Sequence, residues 1–350
     1  MLEKNYAKDT QTKYLLILLT LFFMLLCAYY FTTIGLQDAG PGQTLRAIAS
    51  WASGSLNEGT DAAVNKIILF LRLPRILLAI FAGIGLAAAG AVMQSVTRNY
   101  LVSPFTLGIS SAAAFGASVC IVFGSGLFFT SDIGIISCAF VSSCLCGLIV
   151  YGISRRIGVK PSSVVLAGIA LNYFFSALTA TIEFFAKEHK LEAVVQWTFG
   201  SLNRASWDSV FLTGGITAAC FAALMLYCLQ LNAMAASDDE TVTSLGIDPE
   251  RLRTIIGLLA VFLTAAIISF TGVIGFVGLI APHMARLIIG GSHQFYLPFA
   301  ATLGALLLLL SDTIGKFILY PVNIPVGIVI SFLGVPLFIH LILSKRQRPE

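Results

Sequence analysis

Apolar residues run along this chain in long blocks rather than in alternation. Ten blocks stand out, at 14–35, 76–96, 105–130, 133–153, 163–186, 209–231, 254–272, 273–290, 296–311 and 324–343. A helix needs ~20 mostly apolar residues to cross a hydrocarbon core of about 30 Å. A barrel would show short segments of alternating polarity instead. The pattern predicts an all-α membrane protein of about ten transmembrane helices, a single domain over 1–350. The blocks flanking Thr271–Gly272 are the hardest pair to separate. Composition agrees: 11% of residues are charged, where a soluble domain carries about 25%. The first block is longer than a signal-peptide core and lacks an evident small-residue cleavage site, so it reads as a retained span.

Charge orients the blocks. Ten crossings put both termini on one side. That side collects Lys4, Lys8, Lys13, Arg98, Arg155, Arg156, Lys160, Arg251, Arg253, Arg286, Lys345, Arg346 and Arg348, thirteen of the 21 basic residues. The positive-inside rule makes it the cytoplasm. The loop 232–253 is then cytoplasmic and the loop 187–208 external. Arg72 and Arg75, in "RLPRILLAIFAG", face outward against this trend. Long basic side chains anchor helix ends at an interface; two cations one helical turn apart also suit an anion. Lys316 falls on the same side. Asp312 lies four residues before it, so the two share a helix face and can pair. Three outward cations repel one another unless an anion arrives.

The loop "NAMAASDDETVTSLGIDPERLR" (232–253) is written as a short helix with specified ends. Ser237 and Glu240 have the spacing of a capping box. Asp238 and Asp239 suit the first turn, where the helix dipole favours acids. Gly246 suits the position just past the last turn, and Asp248-Pro249 suits the start of the next helix. The result is about two turns of helix on the cytoplasmic face. It is either a docking element or a well-capped surface helix.

Two blocks are interrupted. "TRNYLVSPFTLGIS" (97–110) holds Pro104 and Gly108; "GVIGFVGLIAPHMARLIIGG" (272–291) holds Gly272, Gly275, Gly278 and Pro282. Broken helix at membrane depth is tolerated where it is buried in protein or lines a cavity. The stretch "AGIGLAAAGAVMQ" (82–94) is rich in Gly and Ala, which let helices approach closely in lipid. His283 and His340 stand apart from any acidic or cysteine cluster, so no metal centre or other cofactor is expected. The seven cysteines are odd in number and lie mostly in apolar blocks, which implies no disulfide framework. Gly315-Lys316-Phe317 lacks the spacing and hydroxyl of a phosphate loop, so nucleotide energy has to come from another chain. No nucleophile–base pair marks an enzyme, and nothing points to nucleic acid.

Six segments in order carry a resemblance: "RLPRILLAIFAGIGLAAAGAVMQ", "TRNYLVSPFTLGIS", "VVLAGIALN", "DDETVTSLGID", "GVIGFVGLIAPHMARL" and "SDTIGKFILYPVNIPVGIVISFLGVPLFIHLIL". Along nearly its whole length the chain resembles the permease subunits of ABC importers for iron-siderophores, haem and cobalamin. The resemblance implies a type II ABC importer permease in the cell membrane, with both termini cytoplasmic. It implies pairing with a second permease copy or a homologue, and two cytoplasmic ATPase subunits. It also implies an extracellular solute-binding lipoprotein that delivers an iron-siderophore. By the same resemblance Arg72, Arg75 and Lys316 meet acidic residues of the binding protein. Ser237, Asp238, Asp239, Glu240, Leu245 and Gly246 belong to the ATPase-coupling element, and Asn99, Leu101, Pro161 and Ser162 to the cytoplasmic gate. The chain departs from the family at Lys316, where arginine is common, and at Tyr100, where Asn-Pro-Leu is common. Haem or cobalamin is the alternative cargo. An ion-coupled secondary transporter is the alternative class; it would carry charges near the midplane, where these blocks are nearly free of them.

Overall fold

The computed structural model describes residues 2–34, 40–54, 62–124, 132–319 and 322–345. Arg346, Arg348 and the end of the 105–130 block lie outside the described residues. The chain begins with α1 (Leu2–Thr33) and α2 (Pro41–Ala52). Next, α3 (Ala62–Ile67) runs through a π-helical turn (Ile68–Arg72) into α4 (Leu73–Thr97). There follow α5 (Ile109–Phe123), α6 (Asp132–Ile157), α7 (Pro161–Phe185) and α8 (Glu188–Thr198). After them come α9 (Trp207–Leu226), α10 (Cys228–Ala236) and α11 (Asp239–Ser244). The last four are α12 (Pro249–Thr271), α13 (Val277–Ile289), α14 (His293–Phe317) and α15 (Val326–Lys345).

Every apolar block has its helix, but the helices are of two kinds. Seven described helical stretches are long and apolar enough to span a membrane; α5 and α13, with 15 and 13 residues, are shorter. At 1.5 Å per residue, α13 with its 13 residues reaches about 20 Å, well short of the ~30 Å hydrocarbon core. The breaks responsible are those around Pro104 and Gly108 and at Gly272–Phe276. The second break separates α12 from α13, whose boundary the hydrophobicity pattern left open.

α4 is the central post. Every residue from Gly85 to Thr97 is buried, as expected for a helix apolar on all faces. It packs against α14, α12, α13 and α9. At Gly90 a Cβ would collide with the backbone of Gly278 on α13. The small residues of 82–94 thus set a close crossing.

The start of α4 corrects the sequence expectation. Helix begins at Ala62, well before the apolar block at 76, so Arg72 and Arg75 lie within a continuous helical rod. The π-helical turn has a cause. Pro74 has no N–H to donate, and the Leu73 N–H reaches back five residues to Ile68 O. Leu69 O thereby loses its helical donor. The indole Nε1–H of Trp207 donates to it at 3.0 Å, and Trp207 stacks on Trp51 of α2 with ring centroids 5.4 Å apart.

Candidate functional site

Polar chemistry gathers at the two ends of α4. At its N-terminal end, Asp312 of α14 is almost wholly buried and takes a fork from Arg75: Nε to Oδ2 at 2.9 Å and Nη2 to Oδ1 at 2.7 Å. Lys316 Nζ sits 3.0 Å from Asp312 Oδ2, the predicted pair one helical turn apart. Arg75 Nη1 donates to Asn203 Oδ1, and Arg72 Nη1 donates to Thr32 O at 2.7 Å. The expectation of three cations awaiting an external anion is revised: the chain supplies its own carboxylate, shared by Arg75 and Lys316. Within this cluster two cations share one carboxylate.

At the C-terminal end, about 35 Å away at the helical rise, a second carboxylate is shared. α11 exists as predicted, but its N-cap is Asp238, which accepts from Thr241 N at 3.0 Å. Ser237 instead closes α10, so the Ser237–Glu240 box is corrected. An acid one residue later competes for the cap, and its charge suits the helix dipole. The other end is as read: Ile247 N donates to Val242 O and Gly246 N to Thr243 O, with Gly246 at φ +80°. These paired bonds close the helix with a left-handed residue, which glycine adopts without strain. Asp248 caps α12, accepting from Arg251 N at 3.0 Å.

The placement of Asp239 is the part the sequence did not disclose. Its carboxylate turns inward and receives Arg98 Nη2 at 2.7 Å and Arg253 Nη2 at 3.1 Å. Arg253 is fully buried. Its Nε donates to Val96 O at 2.9 Å, and its Nη1 donates to Val159 O. Arg98 Nε donates to Met234 O at 2.8 Å. Arg98 holds a φ of +48° at the end of α4, a conformation uncommon for a non-glycine residue; glycine there would supply neither bond. Burial would raise the Asp239 carboxyl, but Arg253 and Arg98 outweigh it and hold the group below the usual carboxylate range. The hydrogen bonds from Thr241 lower Asp238 as well. One signal was available beforehand: Arg253 falls in the buried register of α12 with Leu252, Ile256, Gly257 and Ala260, whereas Arg251 does not.

The expected gate residues flank this cluster in sequence. Asn99 follows Arg98, and its Oδ1 accepts from Leu101 N at 2.9 Å; Leu101 is exposed. Pro161 opens α7 just after Val159, and Ser162 beside it is exposed. Tyr100 covers one face of the Arg286 guanidinium and Tyr296 also stacks on it, at 5.0 and 4.6 Å from the ring centroids.

Between the two ends, the broken segments meet. Phe105, Phe199, Phe276, Gly327, Ser331 and Phe332 are among the residues lining a cavity of about 560 Å³ with no charged side chain in its wall. Phe276 stands at φ +60° where α13 begins. Such a wall receives apolar or aromatic surface and binds no ion by charge. Among the described residues no group of three or more His, Cys, Asp or Glu is placed to hold a metal.

Residues 15–344 match the FecCD transport family. The iron(3+)-hydroxamate import system permease protein FhuG of Bacillus subtilis is 33% identical, with 96% of this chain and 99% of that protein covered. The hemin transport system permease protein HmuU of Yersinia pestis is 34% identical, with 83% and 87% covered. A solved transporter described as metal-chelate type, in an inward-facing conformation, superposes with a TM-score of 0.82 at 28% identity, covering 94% of this chain and 98% of that one.

Proposed function

The chain belongs to the FecCD transport family, and from that premise we propose that it is the permease through which a ferric siderophore enters the cytoplasm. It is a multi-pass membrane subunit of an ABC importer, in which ATP hydrolysis belongs to separate subunits. The finer reading concerns cargo and surfaces. The observation that carries it is the match over nearly the full length to a permease named for iron(3+)-hydroxamate import. The uncharged, phenylalanine-rich wall of the cavity where the broken segments meet supports it, since a bulky chelate presents ligand surface rather than a bare ion.

The two ends of α4 then have distinct partners. The α11 end lies in the cytoplasm by the positive-inside rule and receives the ATPase. Its exposed rim holds Asp238, Glu240, Asp248 and Glu250, with Arg251 and Lys160 beside them and Leu245 projecting among them. A basic cleft with an apolar pocket complements that rim. The Arg75 end lies outside and receives acidic residues of a solute-binding lipoprotein. A second permease, identical or homologous, completes the pathway. An ion-coupled transporter would leave α11 without a role.

The test is uptake in proteoliposomes containing the chain, its ATPase and its binding protein. ATP-dependent uptake of a radiolabelled ferric siderophore is expected. Uptake of haem or cobalamin with none of any ferric siderophore would overturn the cargo.

A further inference from the structure

α11 is held to the rest of the chain from its inner side, and the hold is unusual in kind. Six residues of helix have little surface with which to grip a membrane domain. Val242 supplies one buried apolar contact. The directional link is Asp239, with the distances given above to Arg98 and Arg253.

What those arginines touch next gives the link its meaning. Val96 O is one of the last carbonyls of α4, which no helical N–H can reach. Arg253 Nε fills that vacancy from another helix. The same guanidinium holds Val159 O, two residues before Pro161. Arg98 is the last residue before Asn99, and it also ties down Met234 O at the end of α10. One carboxylate on α11 is therefore two bonds from the chain on both sides of the expected gate, 99–101 and 161–162.

The energetics favour transmission over slippage. A fully buried guanidinium cannot shed its carboxylate cheaply, because a buried charge left unpaired is strongly destabilising. Its bonds to charged and carbonyl oxygens are of the stronger class. A displacement of α11 thus moves the arginines and the backbone they hold before it breaks the pairs.

We propose that Asp239 is the positioning residue through which α11 moves the cytoplasmic gate, acting on the end of α4 and the start of α7 by way of Arg98 and Arg253. This rests on the reading that α11 receives the ATPase. The roles divide: Asp239 faces inward to the gate, while Glu240 and Thr243 of α11 and Leu245 at its C-cap face outward to the partner.

The experiment uses the assembled transporter in proteoliposomes. Asp239→Asn keeps the shape and removes the charge. Four things are measured: ATPase retained on the purified permease, ATP hydrolysis, uptake per ATP, and thiol labelling at Leu101→Cys above the parent's background. Labelling is compared with and without a non-hydrolysable ATP analogue. With Asp239 intact the analogue is expected to change Leu101→Cys labelling several-fold. With Asp239→Asn the ATPase is expected to stay bound and hydrolyse ATP, while the labelling response disappears and uptake per ATP falls tenfold or more. A merely structural role would alter labelling before nucleotide is added. An unchanged response with parental uptake per ATP would overturn the proposal and leave the docking reading intact. Failure of the unsubstituted chain to retain the ATPase would sink the docking reading first. Should Asp239→Asn not assemble, Asp239→Ser, which also removes the charge that both arginines meet, undergoes the same measurements, and a full nucleotide response there overturns the proposal equally.

Discussion

Asp239 and Arg253 are fourteen residues apart in sequence and 3.1 Å apart in space, the arginine fully buried and the carboxylate still partly in solvent. The pair spans the boundary between a short helix at the surface and a long one inside the membrane domain. Its outer member is open to the solvent side, and its inner member is committed to the backbone. Such asymmetry suits a contact that reports on one side and acts on the other.

Arg253→Met tests the inner member. The substitution fills similar volume but leaves Val96 O and Val159 O without the donor they have now. Each unsatisfied buried acceptor costs roughly 1–3 kcal/mol, so a loss of about 2–6 kcal/mol is expected, read as a lower melting temperature in detergent. Arg251→Met, two residues away on the exposed face, is expected to stay within about 0.5 kcal/mol of the parent. Equal melting temperatures for both variants would show that burial of Arg253 contributes nothing net.

The N-terminal end of α4 yields a prediction of another kind. Trp207→Phe keeps an aromatic ring for Trp51 to stack on but removes the donor to Leu69 O. The expected cost is about 1–3 kcal/mol. The carbonyl is short of a donor because residue 74 is proline, so Pro74→Ala restores a backbone N–H there. In the Pro74→Ala background the Trp207→Phe penalty is expected to shrink by half or more, a coupling that a double-mutant cycle measures. Strict additivity would mean that Trp207 acts by packing alone.

How much of this was legible in sequence varies with the range of the interaction. Each apolar block located a helix, and seven described stretches are long and apolar enough to span, because hydrophobic length is a local property. Gly246 and Asp248 were legible for the same reason: a helix end is fixed within a few residues. Ser237 was misread because two adjacent residues, Ser237 and Asp238, both qualify as caps, and only the fold decides which begins the helix. The helical lead-in from Ala62 escaped notice because Lys66 and Arg72 interrupt its hydrophobicity. Arg98, Arg253 and Asn203 were read as loop charge or not at all. Their partners lie 14 to 157 residues away, and no local pattern records such distances. Asp312 and Lys316 were paired correctly at one turn's spacing, while the third member, Arg75, sits 237 residues off.

Acid is expected to loosen α11. Both Asp238 and Asp239 titrate below the ordinary carboxylate range in the folded chain, the first through the Thr241 bonds and the second through its arginines despite partial burial. A depressed folded value means that the stabilisation is fully present above the unfolded value of about 3.9 and is lost as pH falls through the folded one. Hydrogen exchange at the α11 amides, compared between parent and Asp239→Asn, is expected to differ fully at about pH 6. The difference narrows below about pH 4, as the parent's carboxylate is neutralised. A difference that stayed constant into acid would mean that the charge of Asp239 does not hold the helix.

The outer cluster calls for a choice of variant that the structure dictates. Arg75→Glu would set a carboxylate against the buried Asp312, so a loss of docking in that variant would only report damage to the fold. Arg75 is 14% exposed and Asp312 is 3% exposed, and removing one member of such a pair typically costs 3–5 kcal/mol. Lys316 lies half in the same pair, with its ammonium on a carboxylate it shares. Arg72 differs: its Nη1 donates to the neutral carbonyl of Thr32 rather than to Asp312. Arg72→Glu is therefore the informative change. Its melting temperature and ATPase retention are measured beside docking, so that a loss of affinity is read against the state of the fold. Its affinity for the solute-binding protein is expected to drop several-fold, in line with the ~0–1 kcal/mol of a rim ion pair and the repulsion added by reversal. Steering between opposed charges weakens with salt, so the gap between parent and variant is expected to close as ionic strength rises. A complementary Glu→Arg change in the binding protein restores docking only if the two residues meet. Unaltered affinity of Arg72→Glu at low salt would make Arg72 an anchor for α4 at the interface and leave Lys316 as the cation to test next.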